Sequence, residues 1–201
     1  MAQTLITPCR PDAAVLRLHR YLWLPARYAH PQWLIRVGFH PPADWRYGER
    51  PSLDRCLNQV LLTRRGTPAL PAVLNVHQQR RMQLSGHLHL LALAAGLLAL
   101  QCHDYFLLPA YRRVLSSWFE DDLLWQLFGL CQGEKRAVVP AEQLTDMALQ
   151  LGTAILSRAA QSDPVLFAML ITLPPCKRAL WPSLPANILT LLERILCSAY
   201  R

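Results

Sequence analysis

The side chains in this chain that could carry chemistry are few, and their spacing keeps them apart. His87, Cys102 and His103 bracket an apolar run and come nearest to a set of metal ligands. On a continuous helix, however, positions 87 and 103 lie more than about four turns apart, so they read as core or surface histidines. Glu120, Asp121 and Asp122 form an acidic triplet. Consecutive residues on a helix point in directions about 100° apart, so the three carboxylates do not converge on a cation and read as a solvated face or a docking patch. There is no Gly-rich phosphate loop, no nucleophile elbow, no His-Glu-x-x-His and no Cys-x-x-Cys. The expectation is a non-enzymatic chain with no catalytic, cofactor-binding or metal site, working by contact with partners.

Such contacts need a scaffold, and the stretch that organises it is Leu84 to Leu108. Leu90 to Leu100 contains no polar side chain, so a helix there is apolar on every face and must be enclosed by others. A membrane span needs about 20 mainly apolar residues. This run is shorter, with Ser85, His87 and His89 before it and Gln101, His103 and Asp104 after it. A membrane-associated protein using 84–108 is the competing reading; direct insertion is not expected. Ala92, Ala95, Gly96 and Ala99 recur at intervals of three and four, which lets a neighbouring helix approach closely.

Helical spacing recurs along most of the chain, and nothing alternates as a strand does. Asp12 can cap a helix to Trp23, and Ser52 can cap one over 53–65 that ends in Arg64, Arg65 and Gly66. Val76 to Leu108 reads as one helix or a pair, stopped by Pro109. Further helices are expected over 111–131, with Trp118 and Trp125 widening its apolar stripe, from Pro140 through Ala159, over 164–173, and from Ser183 and Pro185 to the end. Before residue 52, Pro8, Pro11, Pro25, Pro31, Pro41, Pro42 and Pro51 break the chain into short pieces. These are expected to wrap over the helices through Trp23, Tyr28, Trp33, Phe39, Trp45 and Tyr47. The fold class is all-α: one domain over 1–201, an irregular array of about seven helices around a central apolar helix. A basic, proline- and aromatic-rich part (1–75) precedes a helical core (76–201).

Charge is lopsided. The chain carries a net +8; residues 1 to 81 contain 12 arginines and 4 acids, whereas residues 82 to 201 contain 9 basic and 9 acidic side chains. A basic surface can serve nucleic acid, anionic lipid or an acidic protein. Here the arginines stand singly or in pairs (Arg64 and Arg65, Arg80 and Arg81, Arg112 and Arg113) with no basic run on one helix, so nucleic-acid binding is an alternative and not the expectation. Arg27, Arg36, Arg46 and Arg50 are the candidate docking residues for an acidic partner. The six cysteines show neither a disulfide framework nor metal spacing and read as small buried hydrophobes. The first residues, MAQTLITPCRPD, lack the pattern of a secretory signal, so a cytosolic protein is expected.

One short motif stands out, Trp23-Leu24-Pro25-Ala26-Arg27-Tyr28-Ala29-His30-Pro31-Gln32-Trp33-Leu34. Its prolines fix a bend, and the polar tips of Tyr28, His30 and Trp33 can tie down loop backbone while their rings pack. Bracing of the N-terminal part is the expected role. With Trp23, Pro25, Tyr28, His30, Pro31 and Trp33 in place, the segment resembles the SctK family of type III secretion sorting-platform adaptors (YscK, PscK, OrgA and MxiK). A late apolar helix ending in Leu-Pro, here Met169 to Pro174, and the length and helical content of the chain are also similar. At Leu24 the chain departs from the Asp or Asn common in relatives. The resemblance implies a cytosolic adaptor at the cytoplasmic face of the inner membrane, without cofactor. It would join the cytoplasmic domain of the inner-membrane ring protein (SctD) to the spoke protein (SctQ) of the injectisome sorting platform.

Overall fold

Prolines that the sequence presents as breakers turn out to be helix starters. In the computed structural model, which describes residues 12–133, 136–176 and 184–200, Pro25, Pro31, Pro51, Pro109 and Pro164 each occupy the first position of a helix. There the missing N–H has no intrahelical partner to lose, and the fixed φ already suits the helix. The described residues are all-α, with twelve α-helices, two short 3₁₀ turns and no strand. The helices are α1 (Ala13–Trp23), α2 (Pro25–Tyr28), α3 (Pro31–Arg36), α4 (Pro51–Arg65), α5 (Val76–Gln83), α6 (Leu88–Leu100), α7 (Asp104–Leu107), α8 (Pro109–Leu115), α9 (Asp121–Leu130), α10 (Ala141–Ala159), α11 (Pro164–Met169) and α12 (Ala186–Ala199).

The count exceeds the expected seven because two long elements are divided and the proline-rich start is more helical than expected. The proline-rich start contains α2 and α3 as well as α1. Val76 to Leu108 is divided into α5, α6 and α7: the axis bends by 103° between Val76–Gly86 and Leu88–Leu100, and Gln101 ends α6 in the left-handed region at φ 53. The stretch 111–131 is interrupted between Leu115 and Asp121. Trp118 and Trp125 are correspondingly exposed; they pack at the surface, Trp118 edge-on to His89 and Trp125 beneath the Arg112 guanidinium. Asp12 caps α1 as expected, accepting from the Ala14 N–H at 3.0 Å. Ser52 does not cap α4; it lies inside the helix that Pro51 opens, with Arg50 at the cap position. Ser183 falls outside the described residues, and Pro185 precedes the first turn of α12.

The core is built around α6, where Leu88 and every residue from Leu90 to Ala99 are buried. Its most extensive neighbour is α10, and the small residues explain why the two backbones come so close. A Cβ built on Gly96 would overlap the Ala148 carbonyl, and one built on Gly152 would overlap the Ala92 carbonyl. The two glycines therefore face each other's helix reciprocally, the close approach that only glycine permits. No described helix is long and apolar enough to cross a membrane. Leu18, Tyr21 and Leu22 of α1, with residues of α8 to α12, complete this core. A second, smaller cluster joins Ala26, Leu34, Leu57 and Leu61, rimmed by Phe39, Trp45 and Tyr47.

Candidate functional site

The motif folds into a tight corner between α2 and α3. Pro25 and Ala26 are buried against α4, where Asn58 accepts from the Ala26 N–H at 2.9 Å and donates to the Tyr47 hydroxyl at 2.9 Å. That buried amide meets the first free N–H of α2, which has no capping side chain of its own. The Tyr28 ring packs on Tyr21 with centroids 4.6 Å apart. His30 caps α3, its Nδ1 accepting from the Gln32 N–H at 3.3 Å. Burial pushes the His30 pKa down, which favours the neutral ring that can accept this bond.

The corner is fastened to a segment 140 positions away. The His30 N–H donates to the Ile171 carbonyl at 2.9 Å, Trp33 Nε1 donates to the Leu173 carbonyl at 2.9 Å, and Arg36 donates to the Pro175 carbonyl at 3.2 Å. Alternate carbonyls of the turn that follows α11 are thus taken up in register by residues 30, 33 and 36. The Ile171 and Leu173 carbonyls belong to the Leu-Pro end of the late apolar helix, Met169 to Pro174, which the resemblance singled out separately. Pro25, Tyr28, His30, Pro31 and Trp33 are brought together by this seam; Trp23 is not. At 54% exposure it sits instead at the edge of a hollow of about 430 Å³ beside Tyr47, Pro51 and Asn58, so its expected wrapping role is not seen.

The four candidate docking arginines are all exposed. Arg27 lies over the Tyr28 ring at 5.8 Å and Arg36 joins the seam. None of the four forms an ion pair among the described residues. The arginine pairs behave differently: one member of each is engaged within the chain, two of them inward and Arg112 at the surface. Arg81 bridges Asp163 and Glu193, Arg112 pairs with Asp121 at 2.6 Å, and Arg65 is enclosed by aromatic rings. The Arg65 guanidinium carbon lies 5.5 Å from the Trp33 centroid and 4.8 Å from that of Phe167, and one of its nitrogens donates to the Phe167 carbonyl at 2.6 Å. Burial lowers its pKa to about 10, leaving it cationic at neutral pH. Residue spacing places Arg65 at a helix C-terminus, where a cation suits the dipole; only the approach of α11 makes it part of a site.

Among the described residues no group of His, Cys, Asp or Glu converges to hold a metal. His103 Nε2 donates to the Cys131 carbonyl at 2.8 Å, and His87 stacks on Tyr200. Cys102, Cys131 and Cys197 are buried as expected, whereas Cys56 is exposed; Cys9 lies outside the described residues. What the corner offers is a braced surface with cations over aromatic faces, which suits recognition.

Replacing Trp33 by alanine should lower stability by about 3 kcal/mol, since it removes a packed indole and leaves the Leu173 carbonyl unpartnered. Trp33→Phe should cost about 1 kcal/mol, the hydrogen bond alone. Urea denaturation of both variants measures the two terms, and an unchanged midpoint for Trp33→Ala would show that the seam braces nothing.

No curated protein and no solved structure gives a significant match to this chain. A family model described as "Type III secretion system subunit" matches residues 16–175, from within α1 to Pro175. That span takes in the motif, the central helices and the last carbonyl to which the corner is bonded. A match over most of the chain that includes both halves of the seam means that the chain belongs to this family of type III secretion system subunits.

Proposed function

We propose that this type III secretion subunit is an SctK-type adaptor of the sorting platform, a non-enzymatic protein at the cytoplasmic face of the inner membrane that joins the ring protein's cytoplasmic domain to the spoke protein. The observation that carries the reading is the seam. The two segments that resemble the SctK family, the Trp23 to Leu34 motif and the Leu-Pro end after α11, are bonded directly to each other through His30 and Trp33. A resemblance made of two unrelated short matches would have no reason to close on itself in space. Because Arg65 and Arg81 turn inward and Arg112 is neutralised at the surface by Asp121, the exposed positive charge is less clustered than the arginine pairs suggest, which favours an acidic protein over nucleic acid. The apolar residues of α6 are spent on the core, which weighs against the membrane reading.

In this reading the exposed arginines of the first part meet the ring domain and the electrically neutral remainder meets the spoke protein. Affinity purification of the tagged chain from its native host should retain both partners. Ring-domain binding should weaken as salt rises, since charge attraction across a surface is screened beyond about 8 Å at physiological ionic strength. Spoke binding should barely respond. A folded Arg27, Arg36, Arg46 and Arg50 quadruple glutamate variant should lose at least about tenfold in ring-domain affinity at low salt. Unchanged affinity in that variant assigns the ring contact elsewhere. Retention of neither partner sinks the adaptor role.

A further inference from the structure

Beside the corner lies a hollow of about 1030 Å³, walled by the end of α4, the second half of α10, α11 and residues 174 and 176. Its electrostatics are one-sided. Arg64, Arg65 and Arg158 line it, and no Asp or Glu does so among the described residues. Asp163 stands between the lining residues Ser162 and Pro164, but its carboxylate is taken by Arg81 and by the Val165 and Leu166 N–H groups. Arg65 packs on the Trp33 and Phe167 rings and, among the described residues, commits a single hydrogen bond to protein, to the Phe167 carbonyl. The rest of its planar fork of donors is suited to a carboxylate.

A second observation points the same way. Thr153 lines the hollow and is 3% exposed, and its Oγ1 has no hydrogen-bond partner among the described residues. Buried polar atoms are almost always partnered, so an enclosed orphan in the wall of a binding-sized hollow is a group that a ligand can satisfy. The volume is at the upper end of small-ligand pockets, about 300 to 1,000 Å³, and far exceeds what a single inorganic anion fills. Ile155, Leu170 and Pro174 supply apolar wall. The chain's own segments 1–11 and 177–183 contain no Asp or Glu, so neither can supply the missing carboxylate.

We propose that this hollow seats an acidic peptide segment of a partner protein, with Asp or Glu side chains meeting Arg65 and the Thr153 hydroxyl and a neighbouring apolar side chain resting on Ile155 and Leu170. The assignment goes beyond the adaptor reading, because it specifies peptide chemistry and no particular secretion component. A test on the purified chain can therefore fail while ring and spoke binding stand.

Selection of a random dodecapeptide library on phage against the immobilised full-length protein provides that test. Selected peptides should carry an Asp or Glu beside an aromatic or aliphatic residue. Their synthetic copies should bind Arg65→Gln about tenfold or more weakly than wild type, as expected for loss of a charge-assisted contact, and copies with Glu replaced by Gln should lose a similar factor on wild type. Arg65→Gln also loosens the Trp33 and Phe167 stack, so Thr153→Val is the second variant. It is nearly isosteric and removes an unpartnered hydroxyl, so it should keep or raise the melting temperature while weakening the acidic peptides several-fold. Failure to enrich any peptide, enrichment of peptides without acids, or acidic peptides indifferent to both variants would overturn the proposal. So would saturable binding of inorganic phosphate, or of a duplex DNA probe, that depends on Arg65 while no peptide is enriched.

Discussion

Replacing Leu97 by aspartate should abolish soluble folded protein. Leu97 is 0% exposed in α6, a helix in which Leu88 and every residue from Leu90 to Ala99 are buried. An unpaired carboxylate there has no partner to repay its desolvation, and the cost of several kcal/mol is a large part of a total stability of about 5 to 15 kcal/mol. Leu97→Met, which conserves volume and polarity, should cost less than about 1.5 kcal/mol and separates charge from shape. The readout is soluble yield with the far-ultraviolet helical signal. A soluble Leu97→Asp protein with the native helical signal and melting temperature would mean that α6 is not the centre of the core. The α6–α10 contact can be probed in the same way, because adding a methyl at Gly96 or Gly152 must push one backbone off the other.

The second large effect is expected at Arg81. Its guanidinium joins three elements: Nε donates to Glu193 Oε1 of α12 at 2.6 Å, and Nη1 meets the Asp163 carboxylate that caps α11. Glu193 is fully buried and its second oxygen has no hydrogen-bond partner among the described residues, so Arg81 is what makes its charge tolerable. Removing one partner of a buried ion pair costs about 3 to 5 kcal/mol, whereas replacing the pair with apolar groups is often neutral. Arg81→Met should therefore lose about 3 kcal/mol or more in urea denaturation, and Arg81→Met combined with Glu193→Met should recover much of that loss. If the single variant unfolds at the wild-type midpoint, the triad is a surface feature and not a tie. Additive losses in the double variant would show that each side chain packs independently.

Much of the local structure was legible without coordinates, for reasons that act over a few residues. An eleven-residue run with no polar side chain, Leu90 to Leu100, has to be enclosed, and all of it but the half-buried Leu100 is. The oxygen of Asp12 one position before a periodic stripe makes a cap, and the glycine after Arg65 ends α4 at φ 84. The small residues of α6 promised a close neighbour, although nothing local could name α10 as that neighbour. The Trp23 to Leu34 motif likewise pointed to a braced corner. The prolines do divide the first part into short pieces, but Pro25, Pro31 and Pro51 each also start a helix, because clash with a preceding turn and readiness to start a new one are properties of the same ring. The surrounding packing decides which of the two is expressed.

What depended on tertiary structure lies at long separation. Arg65 and Arg81 share the exposed-looking pattern of their neighbours, and only the arrival of Phe167 and Glu193 from distant parts of the chain turns each inward; Arg112 is paired at the surface with Asp121, close by in sequence. The carbonyls of Ile171, Leu173 and Pro175 carry no side-chain signal at all, so their part in holding the motif could not be read from residue types. The same is true of the hollow: Arg65 lies on α4, Thr153 on α10 and Phe167 on α11, and a site made of three elements exists only once those elements are packed. Apolar periodicity and caps determined by themselves that this chain is helical and has a buried centre, because those forces are local or nonspecific. Which charges are internal, and where a partner could be received, was decided by contacts between residues too far apart in sequence for any local pattern to record.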